Sequence, residues 1–216
     1  MKYPCLVLDH DDTVVNSTAT VHYPCFVKFL KQYFPHCTYT FEEYVIKNFS
    51  PGILPFFRDE VGMNEEMLQR EYDFWDTYVQ QHVPQAYAGM CEILWEQKNA
   101  GGLICVVSHS MEKNILRDYR ENGLPQPDLI YGWDYPAHQR KPNPYPIEQI
   151  LEKTGLRREE LLVVDDLKPG YDMASACGVP FAAAGWAYDI PEIEDFMRRS
   201  CGLYFKTLAE LKAHLA

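Results

Sequence analysis

A short apolar run that ends abruptly in acids is the feature that most constrains the fold of this chain. Residues 6–13 read Leu-Val-Leu-Asp-His-Asp-Asp-Thr. The apolar part is typical of a buried parallel strand, and the acids fall at its carboxyl end, the edge where open α/β sheets bind ligands. Because Asp9 and Asp11 are two residues apart, an extended backbone points both carboxylates toward one face, where they repel unless a cation or shared proton stabilises them. An acidic turn with no function is the alternative.

Two further apolar runs end in residues suited to chemistry. Residues 103–107 lead into Ser108, and residues 161–164 lead into Asp165 and Asp166. Between these runs, Lys141 lies in the proline-rich segment 140–144, ahead of a helical pattern. Each residue has an ordinary alternative, because a serine after a strand commonly caps a helix and a lone lysine is usually solvated. Their order along the chain is therefore more informative than any one of them.

The rest of the chain alternates between strands and helices, which predicts an α/β fold with a mostly parallel sheet and helices on both faces. Strands are predicted at about 2–8, 103–107, 128–131, 161–164 and 180–184, and helices at about 88–99, 111–121, 145–153, 171–177 and 207–214. The segment between the first two strands is too long for a simple crossover and carries apolar stripes at helical spacing. We therefore predict a core of residues 1–15 and 86–216, with an inserted helical domain at 16–85.

Composition narrows the class of function. The chain has 216 residues, 47% hydrophobic and 24% charged, as expected of a soluble globular protein, and its net charge of −11 argues against nucleic acid or an anionic membrane as the partner. The apolar runs are shorter than the ~20 residues that span a bilayer, and the start of the chain does not resemble a signal peptide. The seven cysteines lack zinc-type spacing, which favours reduced thiols in a cytoplasmic protein.

In this order, the four motifs resemble those of the haloacid dehalogenase superfamily of phosphotransferases, from residue 2 to about residue 205. Residues 165–170 and 174–178 are similar to the branch that includes β-phosphoglucomutase and phosphoglycolate phosphatase. The resemblance implies a Rossmann-like core, with residues 16–85 forming a helical cap over the active site. It also implies roles for four residues: Asp9 as nucleophile, Asp11 as general acid and then base, Ser108 as a phosphate ligand and Lys141 as the neutralising charge.

The resemblance further implies a magnesium ion. Asp9 and Asp166 would supply carboxylates and Asp11 its backbone carbonyl, while Asp165 would be a further ligand or an acid just outside the ligand set. Oxygen ligands of this kind are the ones Mg²⁺ prefers. Gly170 stands where many relatives carry another aspartate, for which Asp165 would compensate. Thr13 and His109 are predicted to contact substrate, and Asp12 is predicted to be a turn residue.

The sequence therefore predicts a Mg²⁺-dependent phosphatase that acts on a small phosphorylated metabolite through an aspartyl-phosphate. A phosphomutase of the β-phosphoglucomutase type and a non-catalytic phosphate-ligand binding protein are the alternatives. In the inserted domain, Arg58 lies in a predicted loop beside two phenylalanines, where it would anchor an anionic group of the substrate. Alternatively, Arg58 pairs with a nearby acid. The sequence specifies neither the substrate nor the oligomeric state.

Overall fold

The computed structural model describes residues 2–216, which divide into two compact units. The first unit, the core, comprises the chain up to Asn16 together with Gln85–Ala216. The second, the inserted unit, is Ser17–Pro84. These boundaries lie one residue from those expected from the sequence. Residues 14–16 and 85–87, called the neck below, are joined by backbone hydrogen bonds.

The core contains a six-stranded sheet in which every paired strand is parallel, which confirms the predicted fold class. The strands are β1 (Cys5–Leu8), β2 (Leu103–Val107), β3 (Leu129–Tyr131), β4 (Leu161–Asp165), β5 (Phe181–Ala184) and β6 (Leu203–Phe205). Their order is β3-β2-β1-β4-β5-β6, and Leu8 is in register with Val106 on one side and Val164 on the other. The three motif-bearing strands are therefore neighbours that end together at one edge.

The helices of the core follow the predicted pattern, with one additional helix at Pro191–Ser200. They are α5 (Met90–Asn99), α6 (Glu112–Glu121), α7 (Tyr145–Thr154), α8 (Lys168–Cys177), α9 (Pro191–Ser200) and α10 (Leu208–Leu215). Neither helix α9 nor strand β6 was predicted from the sequence. Helix α8 begins three residues before the predicted start, because Pro169 lies in the first turn, where a missing backbone N–H costs nothing.

Apolar side chains bury the sheet on both faces. On one face, alternate strand residues such as Leu6, Leu8, Val106 and Val164 join a large cluster with side chains of α5, α6 and α10. The intervening strand residues, such as Val7, are equally buried on the other face. A fully buried leucine or valine contributes about 1.5–3 kcal/mol, so the edge formed by β1, β2 and β4 is a rigid support for the residues that follow it.

The inserted unit is helical, as its apolar stripes predict. After a π-helical turn (Thr18–His22) come α1 (Tyr23–Tyr33), α2 (Phe41–Phe49), the short α3 (Ile53–Pro55), a second π-helical turn (Phe56–Glu60) and α4 (Glu65–Val79). Buried aromatic rings pack together in its centre, among them Phe26, Phe29 and Phe56. Arg58 lies in the second π-helical turn rather than in the loop expected from the sequence.

The cysteines and the hydropathy of the helices bear on what the composition predicted. All seven cysteines are free in the structure. Among residues 2–216, none of the helices combines the length and the hydropathy needed to cross a membrane.

Candidate active site

The residues after β1 form a tight turn that carries Asp9 and Asp11. The Asp9 N–H donates to the carbonyl of Val164, and the His10 carbonyl accepts from the N–H groups of Val14 and Val15. Asp12 has a φ of 61°, a left-handed conformation that aspartate tolerates better than most residues. Asp12 is thus a turn residue, as predicted, but it is also buried and accepts a hydrogen bond from the Tyr188 hydroxyl.

Lys141 lies between two acids at the carboxyl edge of the sheet. Its Nζ is 2.6 Å from Oδ1 of Asp9 and 2.7 Å from Oδ2 of Asp165, and all three side chains are at most 5% exposed. Burial by itself lowers the pKa of Lys141, but the charges and hydrogen bonds of the two carboxylates outweigh that effect and raise it above its usual value. Lys141 is therefore a fixed positive charge next to Asp9.

The acids at this edge outnumber the cation. Asp9, Asp165 and Asp166 each offer a carboxylate oxygen within 4.8 Å of the others. Burial, and then the charge of Asp9, raise the pKa of Asp165 to about 7 despite the opposing effect of Lys141. Burial and the charges of Asp9 and Asp165 raise the pKa of Asp166 well above its usual value. A second positive charge would lower the energy of this cluster.

One buried oxygen indicates where that charge would bind. Oδ2 of Asp166 is buried and has no hydrogen-bond partner among residues 2–216, whereas buried carboxylate oxygens are normally paired. Asp165, by contrast, accepts from the N–H of Leu167 with one oxygen and from Lys141 with the other. The donor set therefore fits a hard divalent cation such as Mg²⁺. The two acids thus differ in their hydrogen bonding, and the predicted roles, with Asp166 the ligand and Asp165 a further ligand or an acid just outside the ligand set, stay predictions.

Gly170, in the first turn of α8, makes room for Asp165. A Cβ atom built on Gly170 would lie 2.1 Å from Oδ2 of Asp165, far inside van der Waals contact. The absence of a side chain at position 170 thus leaves the space that the carboxylate of Asp165 occupies. That Asp165 compensates for an acid found here in related proteins stays a prediction.

The loop after β2 holds the side chain of Asp11. Ser108 is buried, and its Oγ accepts from the N–H of Ser110 at 3.1 Å. The Oγ of Ser110 in turn donates to Oδ2 of Asp11 at 2.6 Å. This contact was not predicted from the sequence, although the place of Ser110 just beyond the same strand end as Ser108 was an available signal. The role of Ser108 as a phosphate ligand stays a prediction.

His109 connects the serine loop to the lysine loop. Its Nε2 lies 2.9 Å from the carbonyl of Lys141, so Nε2 carries the donated proton. Burial and the charge of Lys141 lower the pKa of His109 to about 4, which keeps the ring neutral. The ring also packs nearly perpendicular to that of Trp133, and the guanidinium of Arg140 lies over the Trp133 ring at 3.9 Å from its centre. These contacts hold the Lys141 loop in place, and substrate contact by His109 stays a prediction.

Two predicted substrate residues have protein partners in this structure. The Thr13 hydroxyl is buried and donates a long hydrogen bond, 3.4 Å, to Oδ1 of Asp166. In the inserted unit, Nη2 of Arg58 lies 3.0 Å from the carboxylate of Glu65, and the arginine side chain is 47% exposed. This ion pair is the alternative considered for Arg58. Exposed ion pairs of this kind contribute little to stability. The role of Arg58 as an anchor for an anionic group of the substrate therefore stays a prediction.

The fold and this site together define an α/β enzyme with a carboxylate centre at the edge of a parallel sheet. The chain matches the haloacid dehalogenase-like hydrolases over residues 6–184, and it belongs to that family. The resemblance found in the sequence is confirmed. A search of curated protein sequences gave no match.

Solved structures share the fold at low sequence identity. A protein from Bacteroides fragilis described as a haloacid dehalogenase-like hydrolase is 20% identical, with a TM-score of 0.80 over 97% of this chain and 100% of the other. A protein from Lactobacillus plantarum described as a phosphoglycolate phosphatase is 18% identical, with a TM-score of 0.78 over the full length of both. A mutant of CbbY from Rhodobacter sphaeroides, in complex with xylulose 1,5-bisphosphate, is 16% identical, with a TM-score of 0.72 over 97% and 96% of the two chains.

Proposed function

We propose that this hydrolase is a Mg²⁺-dependent phosphatase of the cytoplasm that cleaves a small phosphorylated metabolite. The observation that carries the proposal is Lys141, buried between Asp9 and Asp165 beside the unpaired oxygen of Asp166. Fixed positive charge beside a carboxylate nucleophile is what phosphoryl transfer requires. Support also comes from the family, and from the CbbY mutant, whose structure holds a sugar bisphosphate.

The first step uses Asp9 and Asp11. A carboxylate oxygen of Asp9 attacks phosphorus and forms an O–P bond, while the bond from phosphorus to the ester oxygen breaks. Asp11 donates a proton to the departing oxygen, which leaves as an alcohol. The contact between Ser110 and Asp11 holds that acid at the same sheet edge, and Lys141 and Ser108 would stabilise the oxygens of the transferring group.

The second step returns Asp9 to its starting state. Asp11, now a carboxylate, takes a proton from water, which attacks phosphorus and breaks the bond to Asp9. Inorganic phosphate leaves. A Mg²⁺ ion held by Asp9, Asp166 and the Asp11 carbonyl, with Asp165 beside it, would supply further positive charge to the phosphoryl oxygens.

The test is turnover of p-nitrophenyl phosphate by the wild type and by Asp9→Asn, which keeps the shape and removes the attacking oxygen. We expect a loss of at least ~10³-fold, which corresponds to about 4 kcal/mol of barrier. Asp172→Asn is the matched control, because Asp172 pairs with Lys168 on the surface of α8. Near-wild-type turnover by folded Asp9→Asn, or activity that survives exhaustive chelation, would contradict the proposal.

Two further measurements separate the alternatives. A panel of phosphorylated metabolites identifies the substrate class, and conversion between glucose phosphates would reveal a phosphomutase. Phosphate binding without any turnover would instead indicate a binding protein.

A further inference from the structure

One histidine lies between the two aspartates of the proposed mechanism and has no part in that mechanism. His10 separates Asp9 from Asp11 in the turn that follows β1. His10 is completely buried. Its ring stacks on that of Tyr119 in α6, with 5.9 Å between ring centres.

The polar contact of this imidazole is directional. Nε2 of His10 lies 3.0 Å from Oδ2 of Asp118, also in α6. The other oxygen of Asp118 accepts from both Nε and Nη2 of Arg117, at 2.8 and 2.7 Å. Asp118 is therefore held from two sides. An apolar side chain could fill the same space without a partner. This imidazole instead forms a hydrogen bond of defined geometry through Nε2, while its Nδ1 is buried without a partner among residues 2–216.

The residue that caps the end of α6, Asn122, also holds the neck. Asn122, one helical turn after Asp118, donates from Nδ2 to the Asp118 carbonyl and accepts the N–H of Ala86 at Oδ1, each at 2.8 Å. Ala86 pairs with Val15, whose N–H donates to the carbonyl of His10. The turn after β1 is thus connected to α6 at two points. At His10 it contacts the Asp118 side chain directly, and at Val15 it is connected through Ala86 to Asn122.

We propose that His10 is a positioning residue, which through Asp118 fixes the turn that carries Asp9 and Asp11. The inference rests on the proposed phosphatase activity. The nucleophile and the acid must both be aligned on one phosphate ester, and a displacement of about 1 Å costs roughly 10²-fold in rate. A turn held at both of its ends by one rigid helix meets that requirement.

The experiment compares His10→Leu, Asp118→Leu and the double variant, with p-nitrophenyl phosphate as the probe. We expect each to lose ~10- to 100-fold in kcat with KM nearly unchanged. Each single variant is destabilised. His10→Leu leaves a buried oxygen of Asp118 unpaired, and Asp118→Leu leaves the imidazole of His10 unpaired. The double variant is more stable than Asp118→Leu, because the unpaired imidazole is gone while the loss of the Asp118 pair with Arg117 is the same in both. Its kcat stays low, because the directional bond is still missing. His10→Gln, whose amide can donate to Asp118, restores part of kcat.

Tyr119→Phe is the matched control. It removes a buried hydroxyl that has no hydrogen-bond partner within residues 2–216 and keeps the ring that stacks on His10, so we expect it to leave kcat unchanged. If kcat instead recovers together with stability in the double variant, the role of His10 is only structural and the inference is overturned.

A second measurement does not depend on activity. Amide hydrogen exchange at Val14 and Val15, whose N–H groups bond to the His10 carbonyl, should be faster in the double variant than in Tyr119→Phe. The amide of Val163 in β4 serves as the internal reference. If the amides of Val14 and Val15 exchange at the same rate in the double variant as in Tyr119→Phe, the inference is overturned. A wild type that turns over no phosphate ester would contradict the proposed function, while the exchange measurement still decides the role of His10.

Discussion

At the scale of single residues, charge balance organises the site. Lys141 compensates for only part of the charge of three buried carboxylates, and Asp166 carries the unpaired oxygen. The raised pKa values mean that the folded metal-free protein binds more protons than the unfolded chain between the usual carboxyl range and about pH 7. The free energy of unfolding therefore falls as pH rises through that window, unless a cation replaces the protons.

This balance makes Asp166→Asn an informative change. It removes one charge from the cluster, so at pH 8 the metal-free variant should unfold at a higher temperature than the metal-free wild type. Added Mg²⁺ should stabilise the wild type, by about 2.7 kcal/mol at a concentration one hundred times Kd, and should stabilise the variant far less. Calorimetry with and without Mg²⁺ checks both effects. Equal stabilisation of both proteins by Mg²⁺ would exclude Asp166 as a ligand.

His109 gives a second pH dependence of opposite sign. Its pKa is lowered from 6.5 to about 4 in the folded protein, so between these values the unfolded chain binds the extra proton. Stability is therefore lost as pH falls through this window, by up to about 3 kcal/mol. His109→Gln keeps a donor for the Lys141 carbonyl and should reduce this loss. Urea unfolding from pH 7 to pH 4 measures it, with the exposed His138→Gln as the control that should match the wild type.

At the scale of elements, strand ends and helix starts decide where the acids point. Gly170 is a poor helix former in the first turn of α8, yet its missing side chain is what admits Asp165 to the site. Glycine costs about 1 kcal/mol relative to alanine within a helix, so on propensity alone an alanine would be preferred.

Gly170→Ala should therefore lower activity. The new Cβ displaces the Asp165 carboxylate from Lys141, and we expect a loss of ~10-fold or more in kcat, since small displacements of aligned groups cost that much. Kinetics with p-nitrophenyl phosphate check the effect, and Ser175→Ala, at an exposed position of the same helix, should have none. Full activity of Gly170→Ala would show that Asp165 need not occupy this position.

The sequence predicted the elements whose pattern is long and periodic. The three central strands and the order of the motifs followed from apolar runs that end in polar residues. β3 and β6 each have only three residues, too few to show a period, and of the two only β3 was predicted. α9 was missed because its charged residues obscure the apolar positions Ile193 and Met197. The contact of His10 with Asp118 joins residues 108 positions apart, and no local pattern encodes it.

At the scale of the whole molecule, selectivity is expected to depend on the inserted unit, and Arg58 is the residue to test. If Arg58 anchors a distal anionic group, Arg58→Ala should lower kcat/KM for the native substrate and leave p-nitrophenyl phosphate, which has no such group, nearly unaffected. Arg70→Ala is the matched control, because Arg70 forms a similar exposed pair with Glu66 in the same unit. Equal losses on both substrates would contradict anchoring.

The neck has a consequence for how such a chain can be altered. The N–H of Asn16 donates to the carbonyl of Gln85, the N–H of Tyr87 donates to that of Val14, and Val15 and Ala86 form an antiparallel bridge. These contacts hold the two ends of the inserted unit together, as the paired strands of a hairpin hold the ends of its loop. The entropy of closing a loop grows only with the logarithm of its length, about 0.6 kcal/mol for each doubling. A segment of very different length or structure can therefore be grafted between these two ends at little thermodynamic cost to the frame that carries the chemistry.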